Sequence, residues 1–325
     1  MRGLPDRSPM TATANKRTAW LQIHLCVVLW GFTAILGKLI SLPALPLVWW
    51  RMLLVVALLL LLPRVWRGLR AMSARLRWSY AGVGVLVALH WLTFYASIKL
   101  SNASVGATCM ALATVFTALI EPLLTGRRLS KREVALGIAV LPGVALVAGG
   151  VPGNMLVGGV VGTISALFVA CFSSLNKRLV EHSDALSVTA LEMAAGVAAM
   201  TVIAPLTGLL SPAFGGDPFV LPDLRDGGYL LVLAVACTLF PFALSLMALR
   251  HLTAFGSQLA IKLDPVYAIV LAILLLGEQH ELTAQFYLGV AIILGVVLVY
   301  PLLVRPQKIE HPEILATGES KVIGE

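Results

Sequence analysis

The chain has 325 residues, 59% of them hydrophobic and 12% charged, with a mean hydropathy of +0.92. Soluble domains carry about 25% charged residues, so the composition excludes a soluble globular domain and indicates an integral membrane protein. The formal charge of +8 falls in clusters between apolar runs, where it reports membrane orientation rather than a nucleic-acid surface.

A bilayer is crossed by about 20 apolar residues in a helix, and ten such runs follow one another: 20–40, 46–63, 79–99, 103–125, 133–150, 157–178, 186–210, 228–249, 253–276 and 283–304. The first is too long for a cleavable signal and lacks a small-residue cleavage site, so it is expected to remain as span 1. Arg64, Arg67, Arg70, Arg75 and Arg77 separate spans 2 and 3, and Arg127, Arg128, Lys131 and Arg132 separate spans 4 and 5. By the positive-inside rule both loops are cytoplasmic, which places both termini in the cytoplasm. The tails 1–19 and 305–325 are polar and stay outside the fold. The longest connection, 211–227, is rich in Pro and Gly and too short for a soluble domain, so function must lie within the helix bundle.

The chain matches itself at an offset of 150 to 152 residues. "GIAVLPGVALV" (137–147) lies over "GVAIILGVVLV" (289–299) with six identities in eleven, and "TVFTALIEPLLTG" (114–126) lies over "PVYAIVLAILLLG" (265–277). Aligned glycines carry more weight than aligned Val and Leu, and Gly106, Gly126, Gly137 and Gly143 fall on Gly256, Gly277, Gly289 and Gly295. The fold class expected is therefore an all-α integral membrane protein, with ten transmembrane helices as two inverted five-helix repeats, 20–150 and 151–304. An odd number of spans per repeat inverts the second one. Inverted repeats build transporters with a site at the midplane, exposed alternately to each side.

"WGFTAILGK" (30–38), "LVWWRMLL" (47–54) and "DPVYAIVLAILLLGE" (264–278), running on into "YLGVAIILGVVLV" (287–299), carry a family signature. Over about residues 20–304 the chain resembles the EamA-like branch of the drug/metabolite transporter superfamily. That resemblance implies ten helices, an inverted repeat, and export or exchange of small metabolites such as amino acids or nucleosides. Its smaller four-helix relatives couple protons through a Glu in span 1. Span 1 here has no carboxylate, so that coupling does not carry over, and Asp264 or Glu121 would have to supply it.

Ionisable residues inside spans are functional candidates. Lys38 and Arg51 fall in the outer third, Glu121 and Glu192 in the inner third, and His90, Lys262 and Asp264 near the middle. The repeat sets Lys38 over Lys177 and Arg51 over Glu192, so gates are expected where Lys38 and Arg51 face Glu278 outside and Glu192 faces Lys177 or Arg178 inside. The alternative is that these side chains snorkel to the interface as anchors. Lys262 and Asp264, two residues apart, diverge by about 200° and cannot pair on a regular helix. Pro265 withholds a donor and disfavours helical geometry at Asp264, so a break is expected there. Thr114 stands at the aligned position in span 4, where no such break is expected. Asp264, Lys262, His90, Trp91, Tyr95 and Tyr267 are the expected substrate or proton contacts, with Trp49 and Trp50 in an interfacial belt.

Cys26, Cys109, Cys171 and Cys237 stand singly in different spans and read as small hydrophobes, so no metal or cofactor is expected. "GGVVG" (158–162) fits tight packing within the chain, with a homodimer as the alternative. No ATP-binding or hydrolase motif appears, so the expected activity is a secondary carrier of a small-molecule substrate in a bacterial inner membrane. The rival class is a membrane-embedded enzyme acting on lipid, which would need His, Asp and Glu gathered at one face. Here they are dispersed.

Overall fold

The computed structural model describes residues 9–125, 131–179, 183–209, 211–241, 244, 248 and 260–303, and among them there are helices and turns but no strand. The helices are α1 (Pro9–Leu39), α2 (Ala44–Leu60), α3 (Pro63–Ala71), α4 (Ala74–Leu100), α5 (Ala103–Ala111), α6 (Ala113–Thr125), α7 (Lys131–Gly150), α8 (Leu156–Leu179), α9 (Ala185–Thr207), α10 (Leu224–Ala234), α11 (Asp264–Leu276) and α12 (Ala284–Leu303). Five stretches, Arg17–Leu39, Ala74–Leu100, Ala103–Leu124, Gly153–Asn176 and Ala185–Thr207, are long and apolar enough to cross a bilayer. The pair α2 and α3 adds a sixth if it counts as one bent span, while α11 and the apolar parts of α7 and α12 are shorter. Of the ten runs expected, span 8 is described only in part, and span 9 only from residue 260.

The second run ends at Leu60, earlier than its apolar length implies, because Pro63 starts a new helix at its N1 position, turned 96° from α2. On α3, Val65 is buried and Arg64, Arg67 and Arg70 are exposed. The turn thus lays an amphipathic helix across the end of the bundle instead of extending the span.

Helix packing respects the repeat. α1 lies along α11 as α8 lies along α6, so the first span of each half packs on the fourth of the other. α2 packs on α9 and α7 on α12, each pair joining equivalent spans. Two crossings need glycine. A Cβ at Gly289 would stand 2.6 Å from the carbonyl oxygen of Gly143, and one at Gly84 would stand 2.2 Å from that of Glu192. Close backbone approach is how membrane helices gain packing where burial of apolar surface offers little. "GGVVG" also packs internally: a Cβ at Gly158 would meet Ser101, and one at Gly162 would meet Ser97 and Cys109.

Spans 4 and 9 break at equivalent places, which corrects the expectation for span 4. Leu112 N donates to Cys109 O at 3.0 Å and Phe116 N to Leu112 O at 3.0 Å. In the second half, Leu263 N donates to Ala260 O at 3.0 Å and Tyr267 N to Leu263 O at 3.1 Å. These are the same tightened turns 151 residues apart. Pro265 explains the second. At the first, the hydroxyl of Thr117 donates to Ala113 O at 2.7 Å, a back-bond that competes with the helix ladder.

The connection between α9 and α10 closes over the start of α2. Ala44 N and Leu45 N, which have no acceptor within their own helix, donate to Ala213 O and Phe214 O at 3.0 and 3.1 Å. Trp49, expected in a belt, is buried and donates to Thr201 Oγ1 at 2.9 Å, while Trp50 donates to Val220 O at 3.0 Å.

Candidate functional site

Arg51 lies midway along α2 and is 5% exposed. Its Nη1 donates to Tyr95 Oη at 2.6 Å, and its Nε and Nη2 donate to Thr238 Oγ1 at 3.2 and 2.8 Å. Its guanidinium carbon stands 3.7 Å from the centre of the Trp91 ring, a close cation–π contact. Trp91 and Tyr95 are one turn apart on α4, so both point at the same neighbour. Thr238 reaches the site because the chain after α10 winds as a π turn, Val235–Leu239. There the Thr238 hydroxyl donates to Leu233 O at 2.9 Å, which leaves its lone pairs to Arg51. Single π turns inside helices recur at functional sites.

His90 occupies the preceding turn of α4. Ser165 Oγ on α8 donates to His90 O at 2.8 Å and contacts His90 Nδ1 at 2.8 Å. A hydroxyl has one proton, so Nδ1 must be the donor in the second contact. The imidazole stands 6.0 Å from the Phe94 ring and 5.7 Å from that of Phe172. α2, α4, α8 and the π turn therefore bring one cation, two hydroxyl partners and an aromatic group together.

The break in span 9 forms a second cluster. Lys262 Nζ donates to Thr114 Oγ1 at 2.8 Å, reaching the first residues of α6 beyond the equivalent break. Asp264 opens α11, where the helix dipole favours a carboxylate, and its Oδ1 is buried with no hydrogen-bond partner. Tyr267 Oη lies 3.0 Å from His24 Nδ1 on α1, and His24 stacks on Trp20.

The sequence matches the EamA-like transporter family over residues 18–149 and 156–300. The chain belongs to that family. Comparison with curated proteins finds no match. A solved structure described only as a crystal structure of a protein superposes with a TM-score of 0.55 over 89% of this chain and 99% of its own, at 18% identity. That degree of likeness shows the fold alone.

In this EamA-like chain the expected outer gate is paired differently. Glu278 is 1% exposed, and its two carboxylate oxygens accept from Ala103 N and Ser104 N at 2.9 and 2.8 Å. Both donors belong to the first turn of α5, whose orphan N–H groups and positive dipole end are what a carboxylate satisfies. Asn102 caps the same helix and donates to Glu281 at 2.9 Å. Lys38 donates to Ser101 O at 3.3 Å, Lys99 donates to Ile40 O, and Asp226 accepts from Ser41 N and Oγ. Neither Lys38 nor Arg51 faces Glu278: backbone groups hold Lys38 and Glu278, and Tyr95, Thr238 and the Trp91 ring hold Arg51.

At the expected inner gate Glu192 is buried against Asn176, and its Oε1 has no hydrogen-bond partner. The side chains of Lys177 and Arg178, its expected partners, lie outside the described residues. The substrate set expected from sequence divides between the two clusters: His90, Trp91 and Tyr95 join Arg51, while Lys262, Asp264 and Tyr267 join Thr114 and His24. Sequence reasoning missed Thr238, Ser165 and His24. The signal available for Thr238 was a single hydroxyl in an apolar run ahead of Pro241. Nothing in the spacing announced the π turn.

Proposed function

We propose that the protein is a secondary carrier that moves small organic metabolites, such as amino acids or related compounds, across a bacterial inner membrane by alternating access. It works as an exporter or exchanger. The single observation that supports this most strongly is the pair of equivalent breaks at Leu112 and Leu263 in helices exchanged by the repeat. Broken helices at corresponding places in two inverted halves mark the substrate region of carriers. Ten spans, both termini in the cytoplasm and the repeat boundary at 150/151 complete this reading. Lys38, Glu278, Glu192 and Lys177 act at its gates, Pro265 fixes one break, and Asp264, Lys262 and Tyr267 line the path beside the Arg51 cluster. The dispersal of the acidic side chains supports a carrier over a lipid-modifying enzyme.

The reading is tested by comparing metabolites exported from cells with and without the protein. The expected outcome is saturable, protein-dependent export of a narrow set of compounds. Flux that rises linearly with concentration would instead make it a channel, and an altered lipid profile without any flux would favour the enzyme.

A further inference from the structure

A guanidinium withdrawn from water needs a counter-charge or a full set of acceptors. Arg51 carries five N–H groups, and the hydrogen bonds above use three, all to neutral hydroxyls. Among the described residues no carboxylate forms an ion pair with it; the ion pair found there joins Arg64 and Asp184 at 2.6 Å. Among the described acids, Glu278 and Asp226 accept from backbone N–H groups, Glu192 lies beside Asn176, and Asp264 opens α11 with its Oδ1 unpartnered. The segment 242–259, which follows the π turn, contains no Asp or Glu. Arg51 is thus a buried positive charge whose described hydrogen-bond and ring partners are all neutral.

We infer that Arg51 receives the anionic head group of the transported molecule, and that this head group is a single carboxylate. The inference deepens the carrier reading and rests on it. Charge matching selects the class. One guanidinium balances one negative charge, and its remaining N–H groups present the planar fork that a carboxylate accepts. A phosphate monoester brings nearly two charges, one more than Arg51 balances alone. His90, Phe94 and Phe172 form an aromatic group next to the cation, suited to an apolar or aryl remainder. Between turnovers Trp91, Tyr95 and Thr238 hold the empty guanidinium in place.

The full-length protein, purified in detergent, is titrated while its tryptophan fluorescence is followed, since Trp91 lies against the cation. The probes are phenylacetate, benzoate, butyrate and phenylalanine, with phenylacetamide and chloride as controls. At least one carboxylate is expected to give a saturable change that disappears in Trp91→Phe, with phenylacetamide weaker by at least about tenfold. Arg51→Gln is expected to abolish the response and Arg51→Lys to weaken it. The wild-type comparison of acid with amide needs no variant, so a poorly folding Arg51→Gln leaves the test intact. Equal response to acid and amide, no response to any carboxylate, saturation by chloride alone, or Arg51→Gln binding within about twofold of wild type each overturns the inference. The same probes in proteoliposome counterflow separate the two readings: Arg51-dependent binding without flux refutes the carrier and keeps the site, whereas flux unchanged by Arg51→Gln refutes the site and keeps the carrier.

Discussion

Arg51 and Glu278 are both buried charges, and neither is paired with an opposite charge, yet the chain treats them in opposite ways. Glu278 closes on two backbone N–H groups at the positive end of α5, and each of its oxygens has a donor. Arg51 rests on two hydroxyls and an indole face, with donors to spare. The first arrangement is saturated and joins the two halves at a helix end. The second is incomplete, and a buried cation left incomplete is what a site for an incoming anion requires. Charge in a membrane protein therefore does not by itself mark function; the state of its partners does.

The largest effect is expected where structure alone is at stake. Glu278→Ala leaves Ala103 N and Ser104 N buried without acceptors, and hydrogen bonds to charged groups are worth about 1.5–3 kcal/mol each. Unfolding in detergent should show a loss of about 3 kcal/mol or more, and an unchanged midpoint would mean that Glu278 does not hold the start of α5. Gly84→Ala is expected to cost about 1–3 kcal/mol by overpacking, because its Cβ would press on the carbonyl of Glu192 from 2.2 Å. A neutral result would mean that α4 and α9 cross further apart. Lys262→Met and Thr114→Val, combined in a double-mutant cycle, should show coupling of about 0.6 kcal/mol, the scale of polar contacts between membrane helices. Additivity would break the link between the two span breaks. Arg64→Ala should be the smallest, a few tenths of a kcal/mol and roughly abolished by salt, since Arg64 is 69% exposed in its contact with Asp184.

Much of the bundle was legible in the sequence because apolar length and glycine spacing are one-dimensional signals. The aligned glycines announced two related halves, and Gly143 and Gly289 do meet at the crossing of α7 and α12. Pro265 announced one break. The other, at Leu112, was not legible, since it depends on a tightened turn and a threonine back-bond rather than on a proline. The pairing of Lys38 and Arg51 with Glu278 went astray because depth in the membrane was read without rotation about the helix. Depth set Arg51 near Glu278; rotation turns it toward α4 and the π turn, where Trp91 and Tyr95 stand. Carboxylates were matched to cations, whereas Glu278 and Asp226 found backbone N–H groups, which are invisible in a list of side chains.

The contrast between the two buried charges is tested most directly by measuring unfolding and exchange flux together in Arg51→Gln. Removing an uncompensated buried charge should leave the unfolding midpoint unchanged or raise it, while flux of the carboxylate that wild type carries falls by at least about tenfold. A midpoint that drops while flux per folded molecule stays at the wild-type value would contradict the account, making Arg51 a structural cation like the charges at the helix ends.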